Sequence, residues 1–184
     1  MGIEHMLDKH LHMLSINTFA TSGLGGKLFI NMATGFVQLP ETYLRLLLAT
    51  AKKNHIRPSR IVLDINSSKI TDSSQMLQII DFCQNSGLKI ALDNVENSAT
   101  LSKILAMCQP EYVKLDRKFS KFYKEQRFFE DMTKIIAAAK TKNCQILAEN
   151  VESEDARRLL RKSGVDLFQG YHFAPPMPAS TWVK

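Results

Sequence analysis

Nine side chains able to do chemistry stand at the ends of short apolar runs. They are Asn31 after Leu28-Phe29-Ile30, Asp64 after Ile61-Val62-Leu63, and Asp93 and Asn94 after Ile90-Ala91-Leu92. Lys114 and Asp116 close Tyr112-Val113-Lys114-Leu115-Asp116. Glu149 follows Ile146-Leu147-Ala148 with Glu152 three residues on, and Gln169 ends Val165-Asp166-Leu167-Phe168-Gln169. Hard oxygen donors without clustered His or Cys suit magnesium, manganese or calcium better than zinc. A lysine among carboxylates could orient or deprotonate a water whose pKa a metal has lowered. Singly, each of these residues is more often a loop cap or an ion-pair partner; six correlated strand exits together describe a site.

The elements that must position this set follow from the periodicity. Each apolar run is long enough for a buried strand, and the segments between runs are long enough for helices, which predicts a parallel β/α array with its chemistry at one end. Ile3, Met6, Leu7, Leu11 and Leu14 recur at helical spacing, so an amphipathic helix is expected over 3–16, with His10 and His12 on the surface rather than as ligands. Pro40 suits the first turn of the next helix. Asp72 and Ser73 suit the cap of a third, whose apolar face runs through Met76, Leu77, Ile79, Ile80 and Cys83 and which stops at Gly87. A shorter helix is expected from Ser98 to Met107. The longest helix is expected over 118–142, carrying Phe119, Phe122, Tyr123, Phe128 and Phe129; core packing is the first use for these rings and self-association, as a homodimer through this helix, the second. Ser153 caps a last helix with Glu154 and Asp155 in its first turn and basic residues later, the order the helix dipole favours.

The chain of 184 residues, 45% hydrophobic and 23% charged, reads as one domain of ordinary globular composition. No apolar run is long enough to span a membrane and the first residues lack a signal-peptide pattern, so a soluble, cytoplasmic protein is expected. Cys83, Cys108 and Cys144 are odd in number and widely spaced, and read as buried thiols rather than a disulfide framework or zinc site. The formal charge of +6 is dispersed over separate elements, which makes nucleic acid the weaker partner.

From Leu28 to Pro178 the motifs resemble those of the EAL-domain family, the cyclic di-GMP phosphodiesterases, whose fold is a TIM-barrel-like (β/α) barrel. Asn31 in Phe-Ile-Asn-Met resembles the family's metal-binding asparagine. Asp64 in Leu-Asp-Ile-Asn-Ser stands in the place of the glutamate of Leu-Glu-Ile-Thr-Glu. Ala91-Leu92-Asp93-Asn94 is similar to the segment with paired aspartates, and Lys114-Leu115-Asp116 to Lys-Ile-Asp, whose lysine the family uses near the attacking water. Ala148-Glu149-Asn150-Val151-Glu152 resembles Ala-Glu-Gly-Val-Glu, and Gln169-Gly170-Tyr171 with Pro176 resembles the closing Gln-Gly-Tyr segment. The resemblance implies metal positions at Asn31, Asp64, Asp93, Asn94, Asp116 and Glu149, catalytic positions at Lys114 and Glu152, and a nucleotide contact at Gln169.

The departures fall on the hydrolytic parts. No Glu-Ala-Leu motif precedes Asn31, so the expectation is one single domain over 1–184, incomplete at its N-terminal end, with the 3–16 helix followed by β/α units over 27–178. Asn94 replaces an anionic ligand by a neutral amide. Val95-Glu96-Asn97-Ser98 replaces the family's glycine-rich loop, and Ser67 replaces the loop's anchoring glutamate. Losing anionic ligands weakens a two-cation centre jointly. The expected function is a degenerate, non-catalytic signalling domain that binds cyclic di-GMP or a protein partner and requires no cofactor. The alternative is a phosphodiesterase that opens cyclic di-GMP to linear pGpG with magnesium or manganese.

Overall fold

The computed structural model describes residues 3–32, 40–67 and 73–182. Six strands follow one another in chain order across one sheet: β1 (Leu28–Met32), β2 (Ile61–Asn66), β3 (Lys89–Val95), β4 (Tyr112–Leu115), β5 (Gln145–Ala148) and β6 (Leu167–Phe168). Where the register is defined, β3 with β4, β4 with β5 and β5 with β6, the pairing is parallel. Parallel neighbours require a crossover, and helices supply it: α1 (Ile3–Thr21), α2 (Pro40–Lys53), α3 (Ser73–Ser86), α4 (Ser98–Met107), α5 (Arg117–Lys121), α6 (Gln126–Lys140) and α7 (Glu154–Lys162). This is the parallel β/α array expected from the strand grammar, and the α/β, TIM-barrel-like class that the resemblance implied.

The backbone forms two compact units. One comprises 1–64, 70–89 and 177–184; the other comprises 65–69 and 90–176. In the first, α1 corrects the expected amphipathic face. The helix is longer than 3–16, and its buried residues are Ile16 and Phe19, with His12 and Met13 half-buried; Met6, Leu7, Leu11 and Leu14 are exposed. His12 is therefore not a surface residue. The Tyr43 hydroxyl on α2 bonds its Nδ1, and a further hydrogen bond joins it to the Asn31 backbone at the end of β1. Thr50 on α2 reaches Met13 Sδ at 2.9 Å, and Asn54 reaches Asn17 at 2.8 Å. Arg60 then ties the loop before β1 to the strand entry of β2: its guanidinium donates to the Leu24 and Gly26 carbonyls at 2.8 Å and lies 4.7 Å over the Phe19 ring. The inner stripe at 12, 16 and 19 has the same helical spacing as the outer one, so periodicity alone could not choose between them.

On α3, Met76, Ile79, Ile80 and Cys83 are buried while Leu77, expected on that face, is exposed. Gly87 closes the helix at φ 78°, the left-handed stop its sequence position predicted. Asp72 lies outside the described residues, as does the side chain of Ser73.

In the second unit β4 is buried at all four positions, and α4, which packs against α6, buries Leu101, Ile104 and Leu105. The long helix expected over 118–142 is broken. α5 ends at Phe122, whose amide donates to the Lys118 carbonyl, and α6 begins only at Gln126. The break lets Phe122 stack on Phe128 at 5.2 Å while Phe119, fully buried, meets the Phe128 edge at 6.4 Å. Three rings thus pack between the two short helices, and Phe129 remains exposed. Ser153 caps α7 by accepting from the Ala156 amide at 3.2 Å. All three cysteines are buried thiols outside any disulfide; burial, with Cys144 nearby, pushes the Cys108 thiol up to about 11, which leaves it protonated and unreactive near neutrality.

Candidate functional site

β3 and β4 run in register at Leu92 with Val113, then at Val95 with Leu115. Three steps on β3 therefore answer two on β4, and the extra residue falls at Asp93-Asn94. A bulge at a strand end turns side chains away from the ladder. Here it leaves Asp93 free to face Lys114, while Asn94 sits at φ 56° and its amide donates to the Glu96 carboxylate at 3.3 Å. Ser67 Oγ donates to the Asn94 carbonyl at 3.1 Å, so a short hydroxyl holds the turn.

Lys114 belongs to β4, aligned with Leu147 on β5. Its side chain is 7% exposed, and its ammonium lies 2.7 Å from Glu149 Oε1 and 3.3 Å from Asp93 Oδ1. Both carboxylates are about a quarter exposed, at 25% and 27%. The lysine thus places its ammonium between two acids at the exits of the neighbouring strands. A buried ammonium is tolerated only with such partners.

Asp116 is used differently. Its Oδ1 accepts from the Lys118 amide at 2.8 Å, capping α5. Gln169 is fixed through its backbone: its amide donates to the Ala148 carbonyl at 2.9 Å, and its carbonyl accepts from the Val151 amide at 3.0 Å. The His172 amide returns a bond to the Val151 carbonyl at 3.0 Å. Gly170, between them, has φ 156°, and a Cβ there would stand 2.2 Å from Val151 O and 2.3 Å from Val151 N. Only glycine permits this approach, which locks the Gln169-Gly170-Tyr171 turn onto the Glu149–Glu152 loop. Within that loop Asn150 takes φ 55°. The two segments enclose a pocket of about 180 Å³ lined by Glu149, Glu152, Gln169 and Tyr171.

Asn31 and Asp64 belong to the first unit. Asn31 is exposed at the end of β1, its backbone bonded to His12; Asp64 is buried in β2, at 3% exposure. Of the expected site residues, the structure joins Asp93, Lys114 and Glu149 by ion pairs, and gathers Glu149, Glu152 and Gln169 around one pocket. Asp116 and Asn94 are engaged in local structure. Sequence reasoning named Glu96 only as a replaced loop residue; besides Asn94 it meets Lys118 Nζ at 3.6 Å, and its spacing of two from Asn94 was the available signal. The roles of Gly170 and His12 had no equivalent signal.

For a cation pair, the donors present do not fit. Among the described residues no three His, Cys, Asp or Glu side chains come together as a metal-holding group. Asp93 and Glu149 already neutralise an ammonium, Asp116 caps a helix, and Asn94 brings no charge.

The family model described as EAL domain matches residues 2–176. Among curated proteins, the chain is 29% identical over 129 residues to the cyclic di-GMP phosphodiesterase PdeR of Escherichia coli K12, covering 67% of this chain and 20% of that protein. It is 25% identical over 165 residues to the probable cyclic di-GMP phosphodiesterase PdeN of the same organism, covering 88% and 31%. The chain therefore spans between a fifth and a third of the length of these relatives. Among solved structures, a standalone EAL protein from Vibrio cholerae O395 in its c-di-GMP bound form superposes with a TM-score of 0.83 at 27% identity, over 95% of this chain and 75% of that one. The manganese and cy-diGMP complex of Klebsiella pneumoniae BlrP1 gives a TM-score of 0.85 at 20% identity, over 96% and 46%, a likeness of fold. No helix among the described residues is long and apolar enough to cross a membrane.

Proposed function

The chain belongs to the EAL domain family, and from that membership we propose that it is a non-catalytic signalling domain that binds cyclic di-GMP without hydrolysing it. The observation that carries the reading is the Lys114 ammonium held by Glu149 at 2.7 Å and Asp93 at 3.3 Å. A metal-activated water needs carboxylates free to hold cations, and here a side chain of the protein already satisfies two of them. The same arrangement supports binding. A cyclic dinucleotide brings two phosphodiester anions and two bases with hydrogen-bonding edges. Lys114 offsets part of the acidic charge of Asp93 and Glu149 that would repel the former, and the Gln169 amide offers both a donor and an acceptor to the latter. The relatives' names and the ligand of the Vibrio cholerae protein support the choice of ligand.

The test is calorimetry of the chain with cyclic di-GMP, with and without magnesium, together with chromatography of the products. Saturable binding that does not require magnesium, with no turnover, is expected. Release of linear pGpG would establish the phosphodiesterase alternative instead. Lys114→Ala and Gln169→Ala are expected to weaken the affinity at least tenfold each, since the first leaves two uncompensated carboxylates facing the phosphates and the second removes a direct polar contact. Absence of any binding would leave a protein partner as the regulatory ligand, for which the exposed Phe129 face of α6 is the surface to probe, including by a second copy of the chain.

A further inference from the structure

The positive charge that the sequence spreads over separate elements is partly gathered by the fold, in the first unit and away from the strand exits. Lys52, Lys53, His55 and Arg57, at and just after the end of α2, are exposed. Three contacts bring other segments of the unit to this corner. Asn54 bonds Asn17 near the end of α1, Arg60 bonds the Leu24 and Gly26 carbonyls before β1, and a Cβ at Gly87, just past α3, would meet Pro58 at 3.9 Å. The segments 17–30, 46–63 and 82–89 that meet here contain no aspartate or glutamate, and carry Lys27 and Lys89 besides. The acids nearest in sequence are Asp64, which is buried, and Asp81, before the last turn of α3. Lys52 and Lys53 suit the carbonyl end of α2, but Arg57 lies beyond it, so helix electrostatics account for only part of the cluster.

Arg60 also orients the loop it ties. A trans peptide points its C=O and N–H to opposite sides, so taking the Leu24 carbonyl turns the Gly25 amide away from the guanidinium. Gly25 is exposed, and a Cβ there would meet nothing within 4 Å, which leaves bare backbone open to close approach. A partner that fits must offer several negative charges and acceptor oxygens without needing an apolar anchor, since none of the exposed large hydrophobic side chains belongs to these segments. That composition disfavours a lipid surface, which is held by apolar insertion as well as charge, and an acidic peptide, whose binding rests on a few apolar or aromatic anchors. A single nucleic-acid strand is held by stacking, and no Phe, Tyr or Trp of these segments is exposed. A duplex presents its phosphates alone. We propose that this corner of the first unit docks the phosphate backbone of a nucleic-acid duplex without reading its sequence. Lys52, Lys53 and Arg57 neutralise phosphates, and the Gly25 amide donates to a phosphate oxygen.

Fluorescence anisotropy of the full chain with labelled DNA duplexes of about 20 base pairs, in two unrelated sequences, tests this between about 50 and about 200 mM salt. Both duplexes are expected to bind equally, with a slope of log affinity against log salt of about −3, as three neutralised phosphates require. Lys52→Gln combined with Lys53→Gln is expected to make the slope shallower by about 2, and Gly25→Glu, which sets a carboxylate on the loop, to lower affinity about tenfold. Lys134→Gln combined with Lys142→Gln makes the same change in net charge at exposed positions of the second unit, and is expected to leave the slope unchanged. Polyglutamate, and vesicles with about 30% phosphatidylserine, are expected to compete poorly against the labelled duplex at equal charge. A slope near zero, absence of binding at the lowest salt, or equal losses in the two double variants would overturn the site. Competition by polyglutamate or by vesicles as effective as by unlabelled duplex would overturn the choice of partner.

Discussion

Replacing Lys114 by methionine keeps most of the apolar stem of the side chain and removes its charge. At an effective dielectric near 20, the attraction of the ammonium to Glu149 at 2.7 Å is about 6 kcal/mol and to Asp93 at 3.3 Å about 5 kcal/mol. Most of this is offset by taking the ammonium out of water. What the variant adds is the cost of two carboxylates facing each other without a counter-charge. Breaking a fully buried pair costs about 3–5 kcal/mol, and because these acids are about a quarter exposed the expected loss is smaller, about 2–3 kcal/mol. Urea unfolding at pH 7 followed by circular dichroism measures it, and a cycle with Glu149→Gln isolates the pairwise part, expected above about 1 kcal/mol. The vacated acids should also acquire an affinity for manganese. Addition of the metal is therefore expected to raise the melting temperature of Lys114→Met and to leave that of the wild type unchanged. A loss below about 0.5 kcal/mol, the value of an ordinary surface pair, would refute the claim that the ammonium holds the centre together. Equal stabilisation of both proteins by manganese would refute the claim that it occupies the place of a cation.

Three further expectations test how the site is supported. Gly170→Ala places a Cβ 2.2 Å from Val151 O, so the Gln169 turn must detach; a loss of about 3 kcal/mol or more in denaturant unfolding is expected, and a loss under about 1 kcal/mol would show that the two segments are not locked. Burial holds the His12 imidazole below its ordinary 6.5, and the Tyr43 hydroxyl, raised by burial and by Asp8, stays neutral beside it. The unfolded chain then takes up the proton first, so the contribution of His12 is complete above pH 6.5 and is lost as pH falls below it. The pH slope of the urea midpoint between pH 7 and 5 should be shallower in His12→Gln than in the wild type, and an identical slope would count against the neutral pair. Ser153→Ala removes the 3.2 Å cap of α7 and should cost about 1 kcal/mol by thermal or chemical unfolding, with no change if the cap is not formed in solution.

The strand exits were legible because burial and polarity change there within one residue. Ile90-Ala91-Leu92 before Asp93 and Ile146-Leu147-Ala148 before Glu149 can be read without coordinates, and the ordered motifs brought the fold with them. What the strand ends do with their side chains was less legible. Asp116 and Asp93 are both carboxylates at strand ends, yet one caps a helix and the other faces a lysine; the difference is set by a bulge that costs one residue of register and leaves no mark in composition. The face of α1 was misread because two apolar stripes share one helical period, and tertiary contact with α2 selected the one through His12 and Ile16. The break between α5 and α6 lies in Tyr123-Lys124-Glu125, which holds no glycine or proline and includes two good helix formers; the break accompanies the stacking of Phe122 on Phe128. Gly170 needed the position of Val151, a residue far from it in the chain.

Asn94 and Asn150 both take left-handed backbone, at φ 56° and 55°, immediately after strand exits that carry the acids. Asparagine is among the few residues with a Cβ that accept this geometry at modest cost, and aspartate is another. The backbone at the β3 bulge therefore accepts either residue at position 94, and an aspartate there would exchange the amide bond to Glu96 for a pair of carboxylates. Evolution could switch the electrostatics there by a single exchange without reshaping the chain, so in this domain the scaffold and the ionic content of its rim are separately heritable traits.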